Sequence, residues 1–138
     1  MAQETTLYRA MIPLNPRTKK NSQTIKYKKK RVRGMLRDVP FIAQSDIYKQ
    51  YERDAGWFLR PLKSPIDTPV NVRCIFYRDS ERRCDLTNLL EAVDDILVKY
   101  KILADDNFKI IAGHDGSRVY VDRDHPRTEI YIEAMCEQ

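Results

Sequence analysis

The sequence predicts an α+β domain in which two main α-helices pack against a mixed β-sheet of about four strands. Two segments carry apolar residues at helical spacing, and several shorter segments alternate apolar and polar residues as strands do. The predicted elements follow the order β-loop-α-β-α-β-β, which is typical of an α+β fold. With 138 residues the chain is the size of one domain, so we expect a single domain over residues 1–138.

The first half of the chain is predicted to contain a strand, a basic loop and a helix. The strand covers residues 7–12 and is stopped by Pro13. The loop covers about 15–40, because this segment lacks apolar periodicity, with short extended pieces near Tyr27 and Val32.

The helix is predicted from about residue 45 to residue 62. Ser45 is a good N-cap residue, and apolar side chains then recur at helical spacing. We expect Trp57 to pack against the rest of the domain.

The second half is predicted to begin with a strand and a long amphipathic helix. Residues 70–77 alternate, and apolar residues from Leu86 to Tyr100 recur on one helical face. Residues 115–117 read as a tight hairpin-type turn between two extended segments. The remaining predicted strands are 109–114, 118–121 and 128–134.

The second helix carries an oxygen-rich face opposite its apolar stripe. Asp85 precedes the first apolar residue, where its carboxylate can cap the helix. Asn88, Glu91 and Asp95 follow at i, i+3 and i+7, so they share a face, whereas Asp94 is turned towards the edge of the buried stripe. Two further carboxylates, Asp105 and Asp106, follow in the turn after the helix.

Oxygen ligands converging in this way are suited to Mg²⁺, with Mn²⁺ as a substitute, because these hard ions prefer carboxylate and water. The alternative is a solvated helix face followed by a polar turn. A zinc site is not expected, since His114 and His125 are not spaced with a cysteine pair.

The basic residues are concentrated near the N-terminus and just before Asp85. Arg82 and Arg83 would be delivered beside Asp85 and could clamp a phosphate with forked donors. Tyr27 lies inside the basic loop and could stack on an exposed base. The alternatives are a solvated loop and a surface arginine pair. The other residues predicted to contact DNA are Lys19, Lys20, Lys26, Lys28, Lys29, Lys30, Arg31 and Arg33.

Composition restricts the setting in which the chain acts. No apolar run approaches the roughly 20 residues of a membrane span, and the N-terminus lacks the apolar core of a signal peptide. Three cysteines without metal-type spacing are expected to be reduced thiols. We therefore expect a soluble cytoplasmic protein. The formal charge of +5, with separate basic and acidic regions, is suited to a polyanionic substrate.

The motifs of the second helix resemble the signature of the RusA family of Holliday junction resolvases. That signature reads approximately R-R-x-D-x-D-N-L, then a helical D-x-L, then L-x-D-D. The matching segments are residues 82–89, 95–97 and 103–106, with a weaker likeness at 12–16 and 19–22.

The resemblance implies a crossover junction endodeoxyribonuclease: a Mg²⁺-dependent homodimer that cleaves branched DNA in recombination and repair, in a bacterial or prophage setting. It implies Asp85 and Asp106 as metal ligands, with Asp105 as a ligand or a positioning group. A general structure-specific metal nuclease and a non-catalytic DNA- or RNA-binding module are the alternatives.

Two residues depart from the family signature. Thr87 stands where the family has its second Asp, and Glu91 stands where the family can carry a lysine. We therefore expect a rearranged site in which Asp95, or Glu91, completes the metal shell and Asn88 is a neutral ligand or a hydrogen-bond donor beside it.

Overall fold

The computed structural model describes residues 5–19, 23–44 and 46–135, and it confirms the predicted α+β class. The predicted N-cap Ser45 and the predicted DNA contact Lys20 lie outside these residues. The elements are β1 (Thr6–Ile12), β2 (Gln23–Val32), β3 (Met35–Gln44), α1 (Asp46–Ala55), a 3₁₀ turn (Gly56–Phe58), β4 (Val70–Arg78), α2 (Leu86–Lys99), β5 (Ile111–Gly113), β6 (Arg118–Val121) and β7 (Arg127–Ala134).

The main sheet has the order β1-β7-β4, with β5 and β6 both on the outer edge of β4. β7 is antiparallel to β1 and to β4, so β1 and β4 run in the same direction and end at the same edge of the sheet. Alternate residues of β4, including Val72, Cys74 and Phe76, are fully buried, as the sequence predicts.

The predicted hairpin-type turn at residues 115–117 does not reverse the chain. β5 pairs with the start of β4 and β6 with its end, both in parallel, so the two short strands continue in one direction along one edge. The turn is held by Asn71, whose side-chain amide donates to the Asp115 carbonyl (3.0 Å) and accepts from the Asp115 N–H (2.8 Å). The local sequence indicates a turn correctly, but a side chain of β4 sets its geometry.

Most of the segment predicted as a basic loop is a β-hairpin formed by β2 and β3. Ten residue pairs are in register, from Gln23 opposite Gln44 to Val32 opposite Met35. Arg33 and Gly34 at the tip both have positive φ, 53° and 77°, which is the geometry of a two-residue type I′ turn. The lysines on β2 obscure the alternation of apolar and polar residues. The extended pieces predicted near Tyr27 and Val32 are therefore shorter than the two observed strands.

α1 ends earlier than predicted, at Ala55 instead of residue 62. Gly56 lies against the ring of Tyr100, which is at the end of α2. The Tyr100 hydroxyl donates to the Glu52 carbonyl (2.8 Å). The expected packing of Trp57 is wrong: the 3₁₀ turn points this side chain outward, with 86% of its surface exposed, and Leu59 is buried instead.

The close contact at Gly56 predicts a specific cost for any larger residue. A Cβ atom there would lie 2.5 Å from ring carbons of Tyr100, whose hydroxyl is fixed by its hydrogen bond. Gly56→Ala should therefore lower the free energy of unfolding by about 1–2 kcal/mol, measured by urea denaturation. An unchanged unfolding midpoint would mean that the turn moves away from the ring without cost.

The apolar stripe of α2 packs on the main sheet as predicted. Leu89, Val93, Ile96 and Leu97 are almost completely buried, and Leu86 and Tyr100 are partly buried at the ends of the helix. α1 lies beside α2, since Glu52 forms an ion pair with Lys99. Within the described residues, no helix is long and apolar enough to cross a membrane.

Candidate functional site

A cleft lies at the edge of the main sheet where the parallel strands β1 and β4 both end. One wall is the loop after β1, and the other is the segment from Arg78 to Asp85 that leads from β4 into α2. The walls are joined by Asn15, whose side-chain carbonyl accepts the backbone N–H of Asp79 (2.9 Å). The Arg78 guanidinium also donates to the Arg82 carbonyl, which bends the second wall. Two rigid strands therefore fix the cleft.

The cleft has a volume of about 820 Å³ and is rich in arginine. Arg17 comes from the first wall, and Arg78, Arg82 and Arg83 come from the second, against two carboxylates, Asp79 and Asp85. Forked guanidinium donors bind phosphate oxygens two at a time. Because the cleft carries four formal positive charges and two negative ones, it favours a polyanionic ligand.

Asp85 occupies the N-cap position of α2, in an extended conformation with φ −86° and ψ 134°. Its carboxylate makes no capping hydrogen bond, which corrects the expectation that it caps the helix with its side chain. The first turn is held by its backbone instead, as the Asp85 carbonyl accepts the N–H groups of Asn88 (3.2 Å) and Leu89 (3.3 Å). An exposed carboxylate at the mouth of a cationic cleft is thus available to a ligand.

The polar face of α2 has the predicted composition, and its half-buried carboxylate, Asp95, has a partner. Glu91 is exposed, and Asn88 and Asp95 are half-buried. Asp95 forms an ion pair with Lys19, whose ammonium also lies 5.9 Å from the centre of the Tyr48 ring. Lys19, predicted to contact DNA, therefore fastens the loop after β1 to the side of α2.

Asp94 lies at the buried edge of α2, as predicted, and is bonded to His114, a partner that the sequence did not indicate. His114 Nε2 lies 2.8 Å and 3.1 Å from the two carboxylate oxygens. Burial raises the pKa of Asp94, and the hydrogen bond from His114 lowers it. The negative charges of Asp95 and Asp106 also raise the pKa of Asp94, so these carboxylates act on the same part of α2.

Asp105 is used by its own turn. Its two oxygens accept the backbone N–H of Asp106 (2.7 Å) and the side-chain amide of Asn107 (3.0 Å). These bonds lower the pKa of Asp105, the one from the Asp106 backbone most strongly. Asp105 therefore shapes the turn that presents Asp106, which is exposed.

The predicted metal ligands do not form a closed shell. Among the described residues, no three of the His, Cys, Asp or Glu side chains come together in a group that could hold a metal ion. Mg²⁺ is nevertheless often bound by one or two carboxylates together with substrate phosphates and water. The uncapped Asp85 carboxylate beside four arginines is suited to that mode of binding. The contribution of Asp95 stays a prediction, and Lys19 competes for its carboxylate.

The basic residues of the hairpin are mostly exposed. Lys26 forms an ion pair with Asp46 (3.0 Å) and Lys29 with Asp38 (3.3 Å). The other residues predicted there to contact DNA are all exposed, namely Tyr27, Lys28, Lys30, Arg31 and Arg33.

Sequence reasoning missed three groups in the cleft that only the tertiary structure identifies. Asn15 and Arg17 lie in the loop after β1, whereas Arg78 is the last residue of β4, and no short motif connects the two segments. A usable signal was the position of Arg78, because polar residues where parallel strands end at one edge of a sheet often meet in a binding site.

No model of a protein family matches the chain, and no curated protein matches it. The function therefore has to be inferred from the cleft and from the motifs around α2.

Proposed function

We propose that the chain is a Mg²⁺-dependent endonuclease that cleaves four-way DNA junctions, like the RusA resolvases that its motifs resemble. The observation that carries the proposal is the exposed, uncapped Asp85 carboxylate in a cleft lined by four arginines. Arginines hold phosphates of the backbone irrespective of sequence, as expected for a nuclease that recognises the form of its substrate.

In this proposal Asp85 and Asp106 are the ligands of the metal ion, and Asp105 positions Asp106. When bound, the ion would supply Lewis-acid activation of the phosphodiester. Arg82 and Arg83 orient the phosphate from one wall of the cleft, and Arg17 orients it from the other. The exposed Glu91 and the half-buried Asn88 lie on the polar face of the helix that begins at the cleft.

The symmetry of the proposed substrate suggests that two copies of the chain act together. A four-way junction has approximate two-fold symmetry and needs two cuts, and the described residues of one chain form one such cleft. A homodimer acting on branched DNA in the cytoplasm, in recombination and repair, follows from this stoichiometry and from the family resemblance.

The direct test is nicking of a synthetic four-way junction with Mg²⁺ or Mn²⁺, compared with linear duplex and with single strands of the same sequences. We expect cleavage of the junction alone, and only with the metal present. Equal cleavage of all three substrates would instead indicate a general metal nuclease.

A second function is favoured by one observation: no three acidic, histidine or cysteine side chains meet among the residues that the structure describes. A non-catalytic DNA- or RNA-binding module would keep the arginine cleft and need no metal shell. Tight junction binding with no nicking in either metal would support this function and contradict the nuclease.

Phosphate contacts in the cleft predict a change in salt dependence. Removing one phosphate contact lowers the slope of log binding constant against log salt concentration by about 1. Arg83→Ala should do this and weaken binding to junctions of different sequence equally. Arg53, an exposed arginine of α1 outside the cleft, provides the matched control, and Arg53→Ala should leave the slope unchanged. Equal slopes for wild type and Arg83→Ala would place the phosphates elsewhere.

A further inference from the structure

The register of the β2–β3 hairpin sorts its side chains onto two faces that differ in charge. Side chains alternate between faces along a strand, and directly paired residues share a face. One face, here called the cationic face, contains Lys26, Lys28, Lys30 and Arg37 together with the apolar Val32, Met35, Val39 and Phe41. The other, here called the apolar face, contains Ile25, Tyr27, Leu36, Pro40 and Ile42.

The apolar face is open to solvent in a single chain. Ile25 and Tyr27 are each 66% exposed, Leu36 is 65% exposed and Ile42 is 72% exposed. A two-stranded hairpin is only marginally stable without further packing, and a contiguous exposed apolar patch marks an interaction site. We therefore expect a partner to cover this face.

Charge distinguishes the partners of the two faces. In the middle of the apolar face, Lys29 is neutralised by Asp38 (3.3 Å), and Arg31 lies near the tip. The cationic face has four positive charges on its paired positions, and one of them, Lys26, is paired with Asp46 at the base of the hairpin. Phosphates are therefore attracted to the cationic face, whereas the apolar face suits a protein surface that is also apolar.

We propose that the apolar face of the hairpin packs against the same face of a second copy of this chain. The patch is self-complementary about a two-fold axis, because it contains apolar side chains on both strands around a neutral ion pair. Two hairpins packed in this way form two layers about 10 Å apart. Both cationic faces then point outward, in opposite directions.

This inference rests on the proposed function, because outward cationic faces related by a two-fold axis are suited to the symmetry of a junction. Two paired strands of 10 residues each give a face about 33 Å long and about 10 Å wide, or about 330 Å², which is smaller than the roughly 800 Å² per partner of a standard interface. The dimer should consequently be concentration-dependent, and a bound junction should tighten it.

Sedimentation velocity of the full chain over a range of micromolar concentrations tests the proposal. Two exposed apolar residues on opposite faces provide matched variants: Ile42 on the apolar face (72% exposed) and Met35 on the cationic face (62% exposed). Neither substitution opens a core, so both variants should fold. Ile42→Asp should weaken dimerisation at least about tenfold, a change of about 1.4 kcal/mol. Met35→Asp should dimerise like the wild type.

Three results would overturn the proposal. The first is a wild-type chain that stays monomeric at every concentration and binds a junction as one copy. The second is an equal dimerisation constant for wild type and Ile42→Asp. Third, if Ile42→Asp instead weakens junction binding by the monomer, the apolar face contacts nucleic acid and the second copy is excluded.

The proposed dimer interface and the proposed nuclease activity can be contradicted independently. Asp85 lies outside the hairpin, so Asp85→Asn should dimerise like the wild type whatever its activity. A dimer that never nicks junctions contradicts the proposed function alone, and a nicking enzyme unaffected in assembly by Ile42→Asp contradicts this inference alone.

Discussion

Asp85→Asn should lower the rate of metal-dependent junction nicking by at least about 100-fold and leave junction binding nearly unchanged. Groups that only orient a metal ligand already change activity by about 10–100-fold when they are removed. Loss of a ligand carboxylate should cost more. The fold should persist, since the carboxylate makes no capping bond and the backbone carbonyl of residue 85 holds the first turn of α2.

The measurement is single-turnover nicking at saturating protein, with binding followed separately by gel shift. Asp79 provides a matched control, because it is an exposed carboxylate that lines the same cleft directly after Arg78. Its backbone N–H makes the bond to Asn15, so Asp79→Asn leaves the two walls joined. This variant should stay within about threefold of the wild-type rate, because removing a surface charge has a small effect. If Asp79→Asn is inactive and Asp85→Asn is active, the ligand role belongs to Asp79.

The parts of the fold that the sequence could predict are those in which one periodicity dominates. The stripe from Leu86 to Tyr100 and the alternation from Val70 to Phe76 both bury the residues that they predict to be buried. Each pattern reports the contact of one element with one core, so local sequence is sufficient.

The parts that could not be predicted depend on contacts between distant residues. The turn after β5 follows a bond from Asn71, and the end of α1 depends on the fit of Gly56 against Tyr100. In the hairpin, lysines occupy positions on both faces of β2, so the register with β3 is needed to separate the two faces.

The residues of the candidate site also divide into those that local sequence predicts and those that only distant contacts identify. Asp85, Arg82 and Arg83 are close together in sequence, and the structure brings all three to one cleft. The partners of the acidic residues come from elsewhere, since Lys19 lies in the loop after β1 and His114 follows β5. Helical spacing placed Asp94 and Asp95 on different sides of α2, but it could not identify the side chains that meet them.

Asp95→Lys should lower junction nicking by about 100-fold or more, because like charges placed together cost several kcal/mol. The substitution would set two ammonium groups against each other where the Lys19–Asp95 ion pair now holds the loop after β1 on α2. That loop carries Asn15 and Arg17 into the cleft, so its displacement would remove one wall of the site. The single variant alone does not distinguish this effect from loss of a metal ligand.

The exchange of both charges makes that distinction. Lys19→Glu combined with Asp95→Lys restores an ion pair between the loop and α2, and nicking should return to within about tenfold of wild type if the pair acts by holding the loop. A lysine cannot bind Mg²⁺, so no recovery would support Asp95 as the ligand that completes the metal shell. Glu91→Lys, one turn earlier on the same face of α2, provides the control. Since Lys19 pairs with Asp95 and not with Glu91, adding Lys19→Glu should not raise the activity of Glu91→Lys.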